Sequence, residues 1–215
     1  MILHYIIIIS IFLFTNIICY YYHNNNLKNL NLIDLNNRKK NLKNYNLIIF
    51  SNIFIIFLLS LLYFPFSNNF LYNYNIFQIL IHTIILIISN DTWQYWHHIS
   101  LHKIQYLKKN IHYMHHIIEI PQLMDYIYVH PIELITGFIG LIIPFFFMKI
   151  NYISFLLIII FRLLHEIEIH TTDNNLSYFL FFNSSNKHNK HHENKIYGNY
   201  GSMLPIWDYL MNTQI

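Results

Sequence analysis

Histidines recur in this chain as H-x-x-x-H at His98 and His102, and twice as H-x-x-H-H, at His112, His115 and His116 and at His188, His191 and His192. Residues three and four apart share one face of a helix. Each box can therefore aim two or three imidazoles at one point, and the fold is constrained to bring three separate helical segments to one polar centre. Eight neutral nitrogen donors exceed the needs of one metal and suit two. An inert Asn/Lys/His tract would account for the third box alone, and an amphipathic interfacial helix for the first two. Neither accounts for the repeated spacing.

With a single cysteine, Cys19, both a disulfide framework and a thiolate metal site are excluded. Hydrophobic residues make up 55% and charged residues 11%, which points away from an ordinary soluble domain. Alanine is absent, valine occurs once (Val129) and asparagine 27 times, the signature of an AT-rich coding sequence. Ile-rich and Asn-rich stretches therefore say less than usual. Trp93, Trp96, Pro121, Pro131, Gly201, Pro205, Trp207 and Asp208 say more, and nearly all lie beside a box. A net charge of +3 gives no argument for a nucleic-acid partner.

Apolar runs cover 2–22, 47–66, 76–90, 132–148 and 152–164. A span needs about 20 apolar residues. The runs predict an all-α, integral membrane helical bundle of four to five transmembrane helices, the last two forming a hairpin or a re-entrant pair. The first run lacks a basic leader and a small-residue cleavage site, so it is expected to stay as a helix. The loop 23–46 carries Lys28, Arg38, Lys39, Lys40 and Lys43 against Asp34, which places it in the cytosol. Counting crossings from there puts 91–131 and 170–215, and so every box, on that same face. The stretch 183–195 reads as a polar segment capping the bundle.

Single residues carry two readings each. His97, about 100° round the helix from His98, is expected to sit behind or beside the centre and not in it. His165 is either a ligand or a satisfied buried histidine, and His82 fits a helix–helix hydrogen bond. Asp91, Glu133 and Asp208 are candidates to accept imidazole N–H bonds, or are simply solvated at the interface.

The blocks Asp91-Thr-Trp-Gln-Tyr to His98 and His102, Ile111-His112 to His115-His116 and Pro121, Val129-His130-Pro131-Ile-Glu133, the isolated His170, Phe182-Asn183 to His188 and His191-His192, Tyr197-Gly198, Asn199-Tyr200 and Trp207-Asp208 to Thr213 resemble the membrane fatty acid hydroxylase/sterol desaturase superfamily. Within it the likeness is to sphinganine C4-hydroxylases. The resemblance covers 76–215, a hydroxylase-like catalytic domain, and leaves 1–75 as anchor helices and a basic loop. It implies a multi-pass protein of the endoplasmic reticulum membrane with a di-metal centre of two Fe ions (Zn as a substitute), O2 as oxidant and electrons from cytochrome b5. The implied metal ligands are His98, His102, His112, His115, His116, His170, His188, His191 and His192, with His130 as a tenth. Three positions depart from the pattern: Ile99 replaces an arginine, Thr-Thr-Asp follows His170 where a Gly-containing turn is usual, and Asn212 stands where a glycine is usual.

The expectation is a membrane di-iron monooxygenase acting on a membrane lipid, a sphinganine or dihydroceramide C4-hydroxylase. A sterol C4-methyl oxidase or a sterol or fatty-acid desaturase uses the same boxes, and a non-enzymatic metal-binding membrane protein is the remaining alternative. Lys103, Lys108, Lys109, Lys187, Lys190 and Lys195 flank the boxes and suit an acidic electron donor, or anionic lipid.

Overall fold

A computed structural model describes residues 2–27, 38, 42, 44–62, 68–73, 75–118, 121–170, 183–193 and 198–215. The expectations resting on Lys28, Asp34, Lys39, Lys40, Lys43, residues 171–173, Phe182, Lys195 and Tyr197 lie outside them. The described fold is mostly helical: α1 (Ile2–Leu27), α2 (Tyr45–Leu62), α3 (Ile76–Lys103), α4 (Gln105–Leu107), α5 (Tyr113–His116), α6 (Pro131–Gly137), α7 (Ile139–Ile142), α8 (Tyr152–Ile169), α9 (Ser185–Glu193) and α10 (Ile206–Leu210). A π turn, Lys108–His112, joins α4 to α5. Two short strands, β1 (Phe70–Leu71) and β2 (Ile150–Asn151), form a parallel bridge with Phe70 opposite Ile150.

The long helix α3 organises the rest. Asn75 caps it by accepting the Gln78 N–H. Ile79, His82, Leu86 and Asn90, and then Asp91, Tyr95, Ile99 and His102, recur every three or four residues and are buried, whereas Phe77, Leu80, Ile81, Ile84 and Ile88 are exposed on the other side. Among the described residues α3 is the one helix long and apolar enough to cross a membrane. Tyr45–Ser60 and Pro131–Phe146 are apolar but shorter, and α8 carries Arg162, Glu166 and Glu168.

The apolar run 132–148, the first arm of the expected pair, is broken into short pieces rather than forming one straight helix. Pro144 has no N–H to give the carbonyl of Gly140. Ser89 Oγ of α3 donates to that carbonyl instead, at 2.8 Å. Trp93 and Gln94 likewise donate to the carbonyls of Thr136 and Gly137. Gly140 is required for this approach: a Cβ there would lie 2.7 Å from Trp93 Cβ and 2.9 Å from Asn90 Cα. His82 takes the helix–helix role expected of it, accepting the Asn151 N–H at 2.8 Å.

The first two helices hold the irregular segment after the second box. Asn52 donates to the carbonyls of Ile127 and Val129. Tyr126 donates to Asn16, and Asp125 accepts Tyr45 and pairs with Arg38. A buried segment with few backbone partners needs side chains of this kind.

Asn212 has φ 53°, in the left-handed region that glycine enters freely and asparagine tolerates. The departure noted at this position thus keeps the turn. Asn212→Gly is expected to leave thermal stability nearly unchanged, while Asn212→Val costs about 1–2 kcal/mol, as read by parallel melting curves.

Candidate metal centre

The nine histidines implied as ligands converge into two groups. His98, His102, His112, His116 and His191 form one, and His115, His170, His188 and His192 the other, with the ligand atoms of each group within 4.8 Å of one another. The spacing of the boxes explains the division. On a helix, i+4 lies about 40° from i, while i+3 lies about 60° away on the opposite side. In the second box His112 and His116 serve the first group and His115 crosses to the second. In the third box His188 and His192 serve the second group and His191 crosses to the first. Each H-x-x-H-H box therefore spans both groups. His170 is added by the C-terminus of α8.

The donor spacing fits a cation. His102 Nε2 lies 2.9 Å from His112 Nε2, 3.0 Å from His191 Nε2, 3.2 Å from His116 Nε2 and 3.3 Å from His98 Nε2. One proton on that nitrogen could serve one such contact, not four. Metal–imidazole bonds of about 2.1 Å at right angles put neighbouring nitrogens about 3.0 Å apart. In the second group His192 Nε2 is 3.1 Å from both His115 Nε2 and His188 Nε2, and His188 Nε2 is 3.1 Å from His170 Nε2.

The opposite ring nitrogens fix the tautomers. Nδ1–H of His98 donates to the Tyr200 carbonyl, His191 to Gly198, His192 to Ile118 and His170 to Glu166, at 2.7–3.0 Å. His112 Nδ1 meets Glu133 Oε1 at 2.8 Å. With the proton on Nδ1, each Nε2 presents a lone pair to the centre. Burial holds His191 down to about 4, and burial reinforced by neighbouring imidazoles pushes His115, His188 and His192 well below their ordinary value. At neutral pH these rings are neutral, as metal binding requires.

Of the three carboxylates expected to orient imidazoles, Glu133 does so. Asp91 and Asp208 contact backbone instead. Asp91 accepts the Leu204 N–H at 2.9 Å. Asp208 accepts the N–H groups of Tyr200 and Gly201 and the Thr213 hydroxyl. Both sit where the chain after α9 turns back, and the orphan donors of that turn lie closer to them than any ring nitrogen does. Sequence reading missed the carbonyls that do most of the orienting, because any residue type supplies one.

His130 is outside both groups. Its Nδ1 accepts the Ile132 N–H and caps α6. His97 is held at 2.8 Å from Thr136 Oγ1 and stacks on Trp93. Buried His165 donates to the Ser202 carbonyl at 3.1 Å, so of its two readings the second holds.

An apolar cavity of about 220 Å³ opens onto the centre, lined by His98, His112, His115, His170 and His188 and by side chains of α1, α2, α3 and α8. Glu133 sits where cavity and centre meet. Replacing it with Gln keeps an acceptor but removes the charge. Glu133→Gln is expected to weaken metal retention in the five-histidine group about tenfold, and Glu133→Ala about 100-fold, read by chelator competition.

A model of the fatty acid hydroxylase family matches residues 83–213. Methylsterol monooxygenase 1 of Rattus norvegicus is 31% identical over 132 residues, covering 60% of this chain and 44% of that protein. Sphinganine C4-monooxygenase 1 of Arabidopsis thaliana is 30% identical over 131 residues, covering 57% of this chain and 50% of that protein. A very-long-chain aldehyde decarbonylase of Oryza sativa subsp. japonica is 26% identical over 145 residues, covering 65% of this chain and 55% of that protein. The chain thus spans about half the length of the curated relatives it matches. No solved structure matches it. With every histidine of both groups inside the matched span, the chain belongs to the fatty acid hydroxylase family.

Proposed function

We propose that this chain is a membrane-embedded, dioxygen-dependent lipid hydroxylase holding two irons, and that its substrate is a sphingoid base oxidised at carbon 4. The observation that carries this reading is the division of nine imidazoles into groups of five and four at the mouth of an apolar cavity. A structural zinc site takes four ligands and closes. Two adjacent groups facing an apolar chamber suit a reaction on a hydrocarbon. Bound there, the irons would supply the oxidising power to attack an unactivated C–H bond, using O2 and two electrons.

The protein's own part is binding and order. The apolar lining holds the alkyl chain and keeps water from the reacting carbon. The Nδ1 bonds of His98, His112, His170, His191 and His192 hold five of the nine rings in register, and Glu133 sets negative charge behind His112. In this reading 76–215 is the catalytic part and 1–75 the anchor, with four to five spans in the endoplasmic reticulum membrane and the centre on the cytosolic side. Exposed Lys103, Lys109 and Lys190 near the boxes would receive an acidic electron donor of the cytochrome b5 type.

Expression of the full chain in cells lacking sphinganine C4-hydroxylation tests the reading. It predicts 4-hydroxysphinganine in the lipid extract and two irons in the purified protein. Unchanged sphingoid bases with oxidised 4-methylsterols would move the substrate to sterols. One zinc, or no metal, with no change in either lipid class would remove the enzyme.

A further inference from the structure

The family match begins at residue 83, yet the cavity does not stop there. Phe12 and Leu13 of α1 and Ile56 and Phe57 of α2 line one side of it. Tyr152, Phe155, Ile159, Leu163, Glu166 and Ile169 of α8 also line it. These residues follow one face of α8 at steps of three and four. The helix has 18 residues, so at 1.5 Å per residue this face is about 27 Å long. A bilayer's hydrocarbon core measures about 30 Å.

At the far end Phe70, Tyr72, Tyr152 and Phe155 line the cavity. Their rings pack edge to face or tilted: Phe70 lies 5.6 Å from Tyr152 and 5.3 Å from Phe155, and Tyr72 lies 5.6 Å from Tyr152. Phe145 backs this layer, 5.1 Å from Phe70 and 5.6 Å from Phe155. The β1–β2 bridge fixes Phe70 beside Ile150. Partway along, the Arg162 guanidinium is engaged by Asn90, the Gly137 carbonyl and the Phe138 ring.

We propose that this cavity is a length gauge for one unbranched alkyl chain, which enters tail first from the histidine centre and stops on the aromatic layer of Phe70, Tyr72, Tyr152 and Phe155. The first two helices close its side, so substrate choice depends on residues outside the family match. A path that follows one helix face for about 27 Å suits a linear tail better than a compact ring system. The proposal deepens the oxygenase reading, which it needs for the fate of the bound lipid but not for binding.

The test is native mass spectrometry of the purified full-length protein with an equimolar ladder of saturated sphinganines, each rung longer by two carbons, and a 4-methylsterol as competitor. The wild type is expected to retain a narrow band of lengths in preference to the sterol. Ile159→Phe, which raises the floor by about one helical turn of 5.4 Å, should move the band one or two rungs shorter. Phe155→Leu should move it longer. Circular dichroism and metal content serve as controls for folding. Equal binding of all rungs, or a band unmoved in folded Ile159→Phe, overturns the gauge. Preference for the sterol over every linear chain also overturns it, while leaving the oxygenase reading intact. Length-selective binding by the purified protein, with neither lipid class changed in cells expressing the full chain, would remove the oxygenase reading and leave the gauge standing.

Discussion

Replacing His102 with alanine is expected to remove one metal of two and to lower turnover more than about 100-fold, beyond what loss of an outer partner costs. His102 is the hub of the five-histidine group, with four other Nε2 atoms 2.9–3.3 Å away. Without it the remaining four donors surround a gap. His192→Ala is the matched control. His192 belongs to the other group, where its Nε2 contacts His115 and His188. It should also stop turnover, since the proposed reaction uses both metals, but the metal that remains should sit in the opposite group. Metal counts per chain, with absorption or Mössbauer spectra of the residual iron, separate the two variants. If both lose all metal, or each keeps two, the division into groups is wrong. His130→Ala, which touches neither group, should retain both metals.

How much of this was legible in the sequence depends on how far apart the interacting groups lie. The boxes were readable because helix periodicity is local: His112 and His116 must share a face whatever surrounds them. The separation of i+3 from i+4 into different groups was implicit in the same geometry, but only the fold shows that the second and third boxes exchange their middle members. Glu133 was readable as an acceptor since its type allows little else beside a ring of histidines. Asp91 and Asp208 had the same type and a different role, and that role is set by turns at 198–204 whose path no spacing rule supplies. His130 carried the right chemistry at the wrong place, spent as a helix cap. The apolar runs gave helix positions, but the broken segment at 131–146 depends on Ser89, Trp93 and Gln94 meeting freed carbonyls some 40 to 50 residues away. The contribution of α1 and α2 to the cavity left no mark at all, because AT-driven Ile and Phe look alike in a wall and in an anchor.

Asp208 shows how a residue that touches no imidazole can still govern the centre. Its carboxylate is buried and accepts the Tyr200 N–H at 2.8 Å, the Gly201 N–H at 2.7 Å and the Thr213 hydroxyl at 2.7 Å. That turn in turn supplies the Tyr200 carbonyl to His98 and the Gly198 carbonyl to His191. Thr213 closes the arrangement by meeting Tyr95 of α3 at 3.0 Å. Asp208→Ala strands two backbone donors and a hydroxyl in a dry site, a loss of about 3–5 kcal/mol. Asp208→Asn keeps one acceptor oxygen and faces an N–H with an NH2, which should cost about 2 kcal/mol. The effect on metal should be lopsided. His98 and His191 both belong to the five-histidine group, whereas His192 and His170 of the other group are held by the carbonyls of Ile118 and Glu166, neither of which this turn supplies. Asp208→Asn is therefore expected to keep the protein folded, to release metal first from the five-histidine group under chelator titration, and to leave the four-histidine group close to wild type. Equal loss from both groups would mean that Asp208 acts only through overall stability, and unchanged affinity in a folded Asp208→Asn would detach the turn from the centre.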